Sequence, residues 1–191
     1  MPSFTREKIM ESCLKMLNER PMSQITVKAI VEDCGINRNS FYYHFTDIPT
    51  LLGTIVTEYA DRLIAEYAKA DSLEECLAAA TQFARENRRA VLHVYRSENR
   101  GIYEQHLIRV CHDVVVSYLE TAFGDVPVEK EDAEALVHFF QCELIGQILT
   151  WLESDMNYDI QSRFARMSKL RREMVEEIIS RVQRDTETQN P

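Results

Sequence analysis

Glycine and proline are nearly missing from this chain, five of each in 191 residues, and between them apolar residues recur every three to four positions. That spacing lines up one face of an α-helix, whereas the strict alternation of a half-buried strand is nowhere sustained. The expected fold class is therefore all-α. Its punctuation falls at Pro21, Gly35, Pro49, Asp71-Ser72, Gly101, Gly124 with Pro127, and Asn157, which divides the chain into about nine helices. No internal repeat or low-complexity tract breaks the pattern. The polar end, residues 187–191, reads as a disordered tail.

The first helix carries Ile9, Cys13, Met16 and Leu17 on one side and Lys8, Glu11, Lys15 and Glu19 on the other. A shorter one opens at Thr26, a good N-cap residue, and places Val27, Ile30, Val31 and Cys34 on one face. Gly35 then supplies the left-handed residue that ends helices, Ile36 plugs the core, and Asn37 caps a helix from Arg38 to Phe45. Two short helices joined by a three-residue turn containing glycine form a helix-turn-helix, the arrangement that lays its second helix in the DNA major groove. With Phe41 and Phe45 facing inward, four residues apart, the rest of that helix shares the outer surface: Arg38, Asn39, Ser40, Tyr42, Tyr43 and His44. A permanent cation, an amide able to read adenine, hydroxyls for phosphate oxygens and aromatic faces for thymine methyls suit double-stranded DNA.

The overall charge of -9 looks wrong for such a partner until it is divided along the chain. Residues 1–52 hold six Lys and Arg against six Asp and Glu, leaving 16 against 25 for the remainder. A neutral head on an acidic body predicts weak non-specific affinity and dependence on well-placed contacts.

The stretch TVKAIVEDCGINRNSFYYHFTDIPTLL, Thr26 to Leu52, resembles the signature of the TetR/AcrR-type transcriptional regulators, including its Gly-Ile-Asn turn and its Phe-Tyr-Tyr-His-Phe block. The resemblance implies phosphate contacts from Thr26 and Tyr42, and groove or base contacts from Arg38, Asn39, Ser40, Tyr43 and His44. One position departs: Ile48 stands where the family usually has a lysine that touches the DNA backbone. The resemblance further implies a homodimer on a palindromic operator, most often a repressor, with half-sites ~34 to 36 Å apart. A small-molecule or protein effector would switch it.

These readings divide the chain into a helix-turn-helix domain at 1–52 and a helical effector-binding and dimerisation domain at 53–186. Apolar bodies with polar tips in the central helices mark an effector pocket at Phe83, His93, Tyr95, Tyr103, His106, Tyr118 and Trp151. Two long helices near the C-terminus, about 129–155 and 159–184, are too apolar for one small core, which places a dimer interface at Phe140, Leu144, Ile148, Phe164, Met167, Leu170 and Met174. The basic cluster Arg163, Arg166, Lys169, Arg171 and Arg172 reads as a solvated helix face with i,i+4 ion pairs.

Five cysteines without a CxxC pair, and five histidines without HxxxH spacing, point to no disulfide framework, metal site or cofactor. No nucleophile motif or glycine-rich phosphate loop appears, so no enzyme is expected. The start MPSFTREK lacks the apolar core of a secretion signal, and no uninterrupted apolar run approaches the ~20 residues of a membrane span, which reads as a cytoplasmic protein. The competing reading is an all-helical protein-interaction adaptor whose head does not bind DNA.

Overall fold

A computed structural model describes residues 4–67, 73–124 and 126–189. Among them are nine α-helices and no strand: α1 Phe4–Glu19, α2 Val27–Cys34, α3 Arg38–His44, α4 Ile48–Tyr67, α5 Leu73–Glu86, α6 Arg88–Tyr95, α7 Arg100–Phe123, α8 Lys130–Glu153 and α9 Ile160–Gln189, with a 3-10 turn at Met22–Gln24. The all-α expectation is met.

Two boundaries differ from the sequence reading. Residues 72–100 divide at Asn87, which carries neither of the usual breakers, while Gly101 lies inside the first turn of α7. At the other end α9 continues to Gln189 and so includes 187–189 of the expected tail; residues 190 and 191 lie outside the described residues. No glycine or proline interrupts that stretch before Pro191, and Glu177 pairs with Arg181 and Arg184 along it.

The chain forms two compact units, one of residues 1–62 with 82–107, the other of 63–81 with 108–191. The first unit is built around Phe41, Ile9, Ile30 and Leu51, none of which touches solvent, and its core extends to Ala90 and Val94 of α6. The head therefore does not close on its own three helices. Burial on this scale is worth about 1.5–3 kcal/mol for each large apolar side chain.

In the second unit the buried stripe of α8 is Phe140, Leu144 and Trp151, and that of α9 is Phe164, Ser168, Arg171 and Val175. The two helices meet through a turn in which Asp155 and Met156 both take φ of 57°, with the Met156 amide donating to the Trp151 carbonyl at 2.8 Å. Arg171 corrects the solvated-face reading. It is 2% exposed and faces Glu143 at 3.5 Å, because it falls seven residues after Phe164 and four before Val175, on the inward stripe. Gln147 completes the cluster by donating to Glu143. Arg163, Arg166, Lys169 and Arg172 are exposed as expected, with Arg163 lying over the Tyr158 ring at 3.9 Å.

Candidate DNA-binding surface

Local chemistry fixes the helix-turn-helix at each joint. Thr26 is extended, and its hydroxyl oxygen accepts from the Ala29 amide at 3.2 Å, which starts α2. Gly35, at φ 65° and ψ 34°, ends it in the left-handed conformation that a side chain resists. The Ile36 amide then returns to the Val31 carbonyl at 3.0 Å, closing the helix end. Asn37 caps α3 by accepting from the Ser40 amide at 2.9 Å, and its oxygen also receives the Ser40 hydroxyl at 3.2 Å.

Phe41 and Phe45, 5.9 Å apart between ring centres, lock the inner face of α3. The outer face holds Arg38, Asn39, Tyr42 and Tyr43, all exposed, with His44 half-buried at its C-terminal end. Tyr43 is 85% exposed, an unusual position for a large aromatic ring that has a core beside it. Tyr42 is steadied edge-on against Phe41, at 5.5 Å and 88°. Thr26 lies exposed at the start of α2.

Most cations of the head are engaged in the scaffold. Lys8 donates to the Cys34 carbonyl at 2.8 Å, and Arg6 pairs with Glu58 while lying 5.5 Å over the Phe45 ring. Lys15 donates to Asp33 at 2.8 Å, a bond that lowers the Asp33 pKa and raises that of Lys15. Arg38 has no ion-pair partner among the described residues and points its charge outward on α3. Ile48, in the position of the missing lysine, is half-buried against the head core, and Asp47 beside it caps α4 by accepting from the Thr50 amide at 2.7 Å.

Two family models cover this architecture. Residues 9–53 match the model described as bacterial regulatory proteins, tetR family, and residues 71–181 match a transcriptional regulator C-terminal region of the same family. The chain belongs to the TetR family. It is a DNA-binding transcriptional regulator, and the helix-turn-helix is the family's DNA-binding part. Solved structures agree at the level of the fold. The chain superposes on the dihydroxyacetone kinase operon activator DhaS with a TM-score of 0.75 and 13% identity, covering 91% of this chain and 97% of that one. It also superposes on the fatty acid degradation regulator FadR from Bacillus halodurans, with a TM-score of 0.57, 13% identity and coverage of 92% and 96%. A TetR-family regulator from Streptomyces coelicolor gives 0.57, 15%, 97% and 92%. No curated protein matches the chain in sequence.

The residues expected in an effector pocket separate. Phe83, Tyr103 and His106 do line one cavity, of about 60 Å³, with Leu14 and Leu17 of α1, Leu52 and Gly53 of α4, and Val91 of α6. Phe83 stacks on Tyr59 at 3.8 Å. The His106 ring lies directly on Gly53, with Nδ1 3.1 Å from the Thr57 hydroxyl. His93 and Tyr95 serve the same unit otherwise: His93 Nδ1 sits 2.8 Å from the Leu17 carbonyl, and Tyr95 is buried beneath Arg100, 4.2 Å above its ring. Tyr118 and Trp151 belong to the other unit, Trp151 buried and donating its indole N–H to the Tyr158 carbonyl at 3.1 Å. That unit holds a wider groove of about 590 Å³ between α7 and α8, floored by Val116, Leu119, Phe123 and Val137 and flanked by His112 and His138.

The residues expected at the dimer interface also divide. Phe140, Leu144 and Phe164 are buried in the protomer's own core and have no surface to offer a partner. Ile148 and Met167 are half-buried, while Leu170 and Met174 are exposed at 45% and 43%. Sequence reasoning passed over Phe139, 53% exposed, because its neighbour Phe140 has the same character. Only the phase of the helix against the core tells them apart. On α8 the exposed stripe is Ala135, Phe139, Cys142 and Gly146.

The other four cysteines are buried, and burial pushes the Cys13 and Cys111 thiols up to about 12. At neutral pH these two are protonated, apolar fillers.

Proposed function

We propose that this regulator binds a palindromic operator as a homodimer, represses by occluding the promoter, and releases DNA when an effector occupies the first unit. The observation that carries the DNA part is α3, whose inner face is fixed by two buried phenylalanines while Arg38, Asn39, Tyr42 and Tyr43 stand free on the outer one. In this reading Arg38, Asn39, Ser40, Tyr43 and His44 make groove or base contacts, Ser40 by turning its hydroxyl away from Asn37, and Thr26 and Tyr42 hold phosphates.

Two features of the second unit support the dimer. By length and composition α8 alone among the described helices could cross a membrane, yet 22% of its apolar stretch is buried in the protomer. The Phe139–Cys142–Gly146 stripe on α8 and the Leu170–Met174 pair on α9 are apolar surface of the kind a symmetric partner covers. The small residues Cys142 and Gly146 let a second helix approach closely.

Support for effector control is that the small cavity shares its walls with the head. At about 60 Å³ it admits water and little else, since ligand sites run to roughly 300–1,000 Å³. A ligand entering it must displace α1 or α4, so occupancy and head position are linked.

Selection of binding sites from random duplex DNA at a stated salt concentration, with light scattering on the same sample, tests the reading. Enrichment of a palindrome by a particle of two chains supports it. Enrichment of nothing leaves the adaptor reading in its place, and a monomer on DNA removes the dimer.

A further inference from the structure

The contact between α1 and α6 is polar and reciprocal. Leu17 is the third residue from the end of α1, and the natural partner of its carbonyl, the amide at position 21, belongs to Pro21, which has no N–H to give. His93 of α6 supplies the missing donor: its Nδ1 lies 2.8 Å from the Leu17 oxygen, and since a carbonyl only accepts, Nδ1 carries the proton. In return, α6 lacks a side-chain cap of its own, because its N-cap residue Asn87 turns its amide back to the Phe83 carbonyl at 3.0 Å. Asn18 of α1 fills that place. Its oxygen accepts from the Ala90 amide at 3.2 Å and its nitrogen donates to Asn87 Oδ1 at 2.9 Å. Each helix thus satisfies a backbone group that the other leaves bare, across some seventy residues of sequence.

Apolar packing of Leu17 against Ala90 and Val94 would bury the same surface at many crossing angles. Hydrogen bonds to backbone groups have direction and hold one of them. From α6 the chain passes within a few residues into α7, a helix of 24 residues. We propose that Asn18 and His93 are positioning residues for operator choice, fixing the angle of the helix-turn-helix on α6 and thereby the half-site spacing the dimer accepts. This rests on the dimer reading above.

The test uses the full-length protein and three duplexes: the operator obtained by selection, the same operator with one base pair inserted between its half-sites, and a single half-site. Wild type should prefer the selected spacing. Asn18→Ala combined with His93→Ala should reduce that preference by about threefold or more, the scale of losing one or two directed hydrogen bonds, with half-site affinity unchanged. With His93 intact, Asn18→Asp keeps the acceptor for Ala90 though it loses the donor to Asn87, and should lose less of the preference than Asn18→Ala. An unchanged preference in the double variant overturns the proposal, as does a parallel loss of half-site binding, which marks a head that has merely come apart. A wild type indifferent to spacing fails the dimer reading itself and takes the proposal with it, a result told apart because it needs no variant.

Discussion

Gly53 lies in the interior of α4, where alanine is ordinarily the better helix former by about 0.8–1.0 kcal/mol. Here the gain should turn into a loss. A Cβ built on Gly53 would collide with His106 Nε2 and come within 2.9 Å of Cε1 and 3.1 Å of Cδ2, so the whole ring face is in the way. Forcing an extra methyl into a packed site costs roughly 1–3 kcal/mol. Moving the imidazole also breaks its hydrogen bond to Thr57, worth about 1 kcal/mol. Gly53→Ala should therefore destabilise the protein by about 1–3 kcal/mol net. In a His106→Ala background the obstacle and the hydrogen bond are already gone, and the same substitution should stabilise by about 1 kcal/mol, giving a coupling between the two sites of roughly 2–4 kcal/mol. Denaturant unfolding of the four proteins of the cycle, at one fixed protomer concentration, measures it. Equal effects of Gly53→Ala in the two backgrounds would refute the close approach of α4 and α7.

Ile48→Lys restores the family's usual cation at the start of α4; if it gains one phosphate contact, the salt slope of operator binding should steepen by about 0.9, read from affinities at several salt concentrations. Phe41→Ala empties a fully buried site and should cost about 3–5 kcal/mol, melting the head and abolishing operator binding in a gel shift. Leu170→Glu with Met174→Glu places charge on the exposed stripe of α9 and should yield monomers in light scattering while leaving the helical circular dichroism intact. Alkylation at neutral pH should spare the buried Cys13 and Cys111, whose thiols stay protonated, and should label Cys142 faster in the monomeric Leu170→Glu, Met174→Glu variant than in the wild-type dimer; mass spectrometry counts the adducts, five per chain after denaturation.

The parts of the fold that local chemistry determines were legible in the sequence. Thr26, Gly35 and Asn37 each act through bonds within a few residues, so the helix-turn-helix could be placed joint by joint. The division at Asn87 was not legible, because the group that caps α6 comes from Asn18, far away in sequence. Arg171 was misassigned because five basic residues in ten suggest solvent, although the spacing from Phe164 to Val175 already put it on the inward stripe. Phe139 and Phe140 differ only in which way their helix faces, and a sequence states the period of a helix more firmly than its phase. The pocket expectation was built from residue type, and type alone could not separate Phe83 and His106, which share a cavity, from Trp151, which fills a core.

Because the core of the DNA-reading unit closes over Ala90 and Val94, that unit is discontinuous in the gene: residues 82–107 belong to it although two dozen codons separate them from α4's first turns. A crossover that exchanged only the first fifty codons between two such genes would pair one parent's α1 with the other parent's α6, leaving Leu17's carbonyl and Ala90's amide without their matched donors and acceptors. With Asn18 and His93 in the positioning role proposed above, specificity is inherited as two separated segments, and exchanging it intact requires both to travel together.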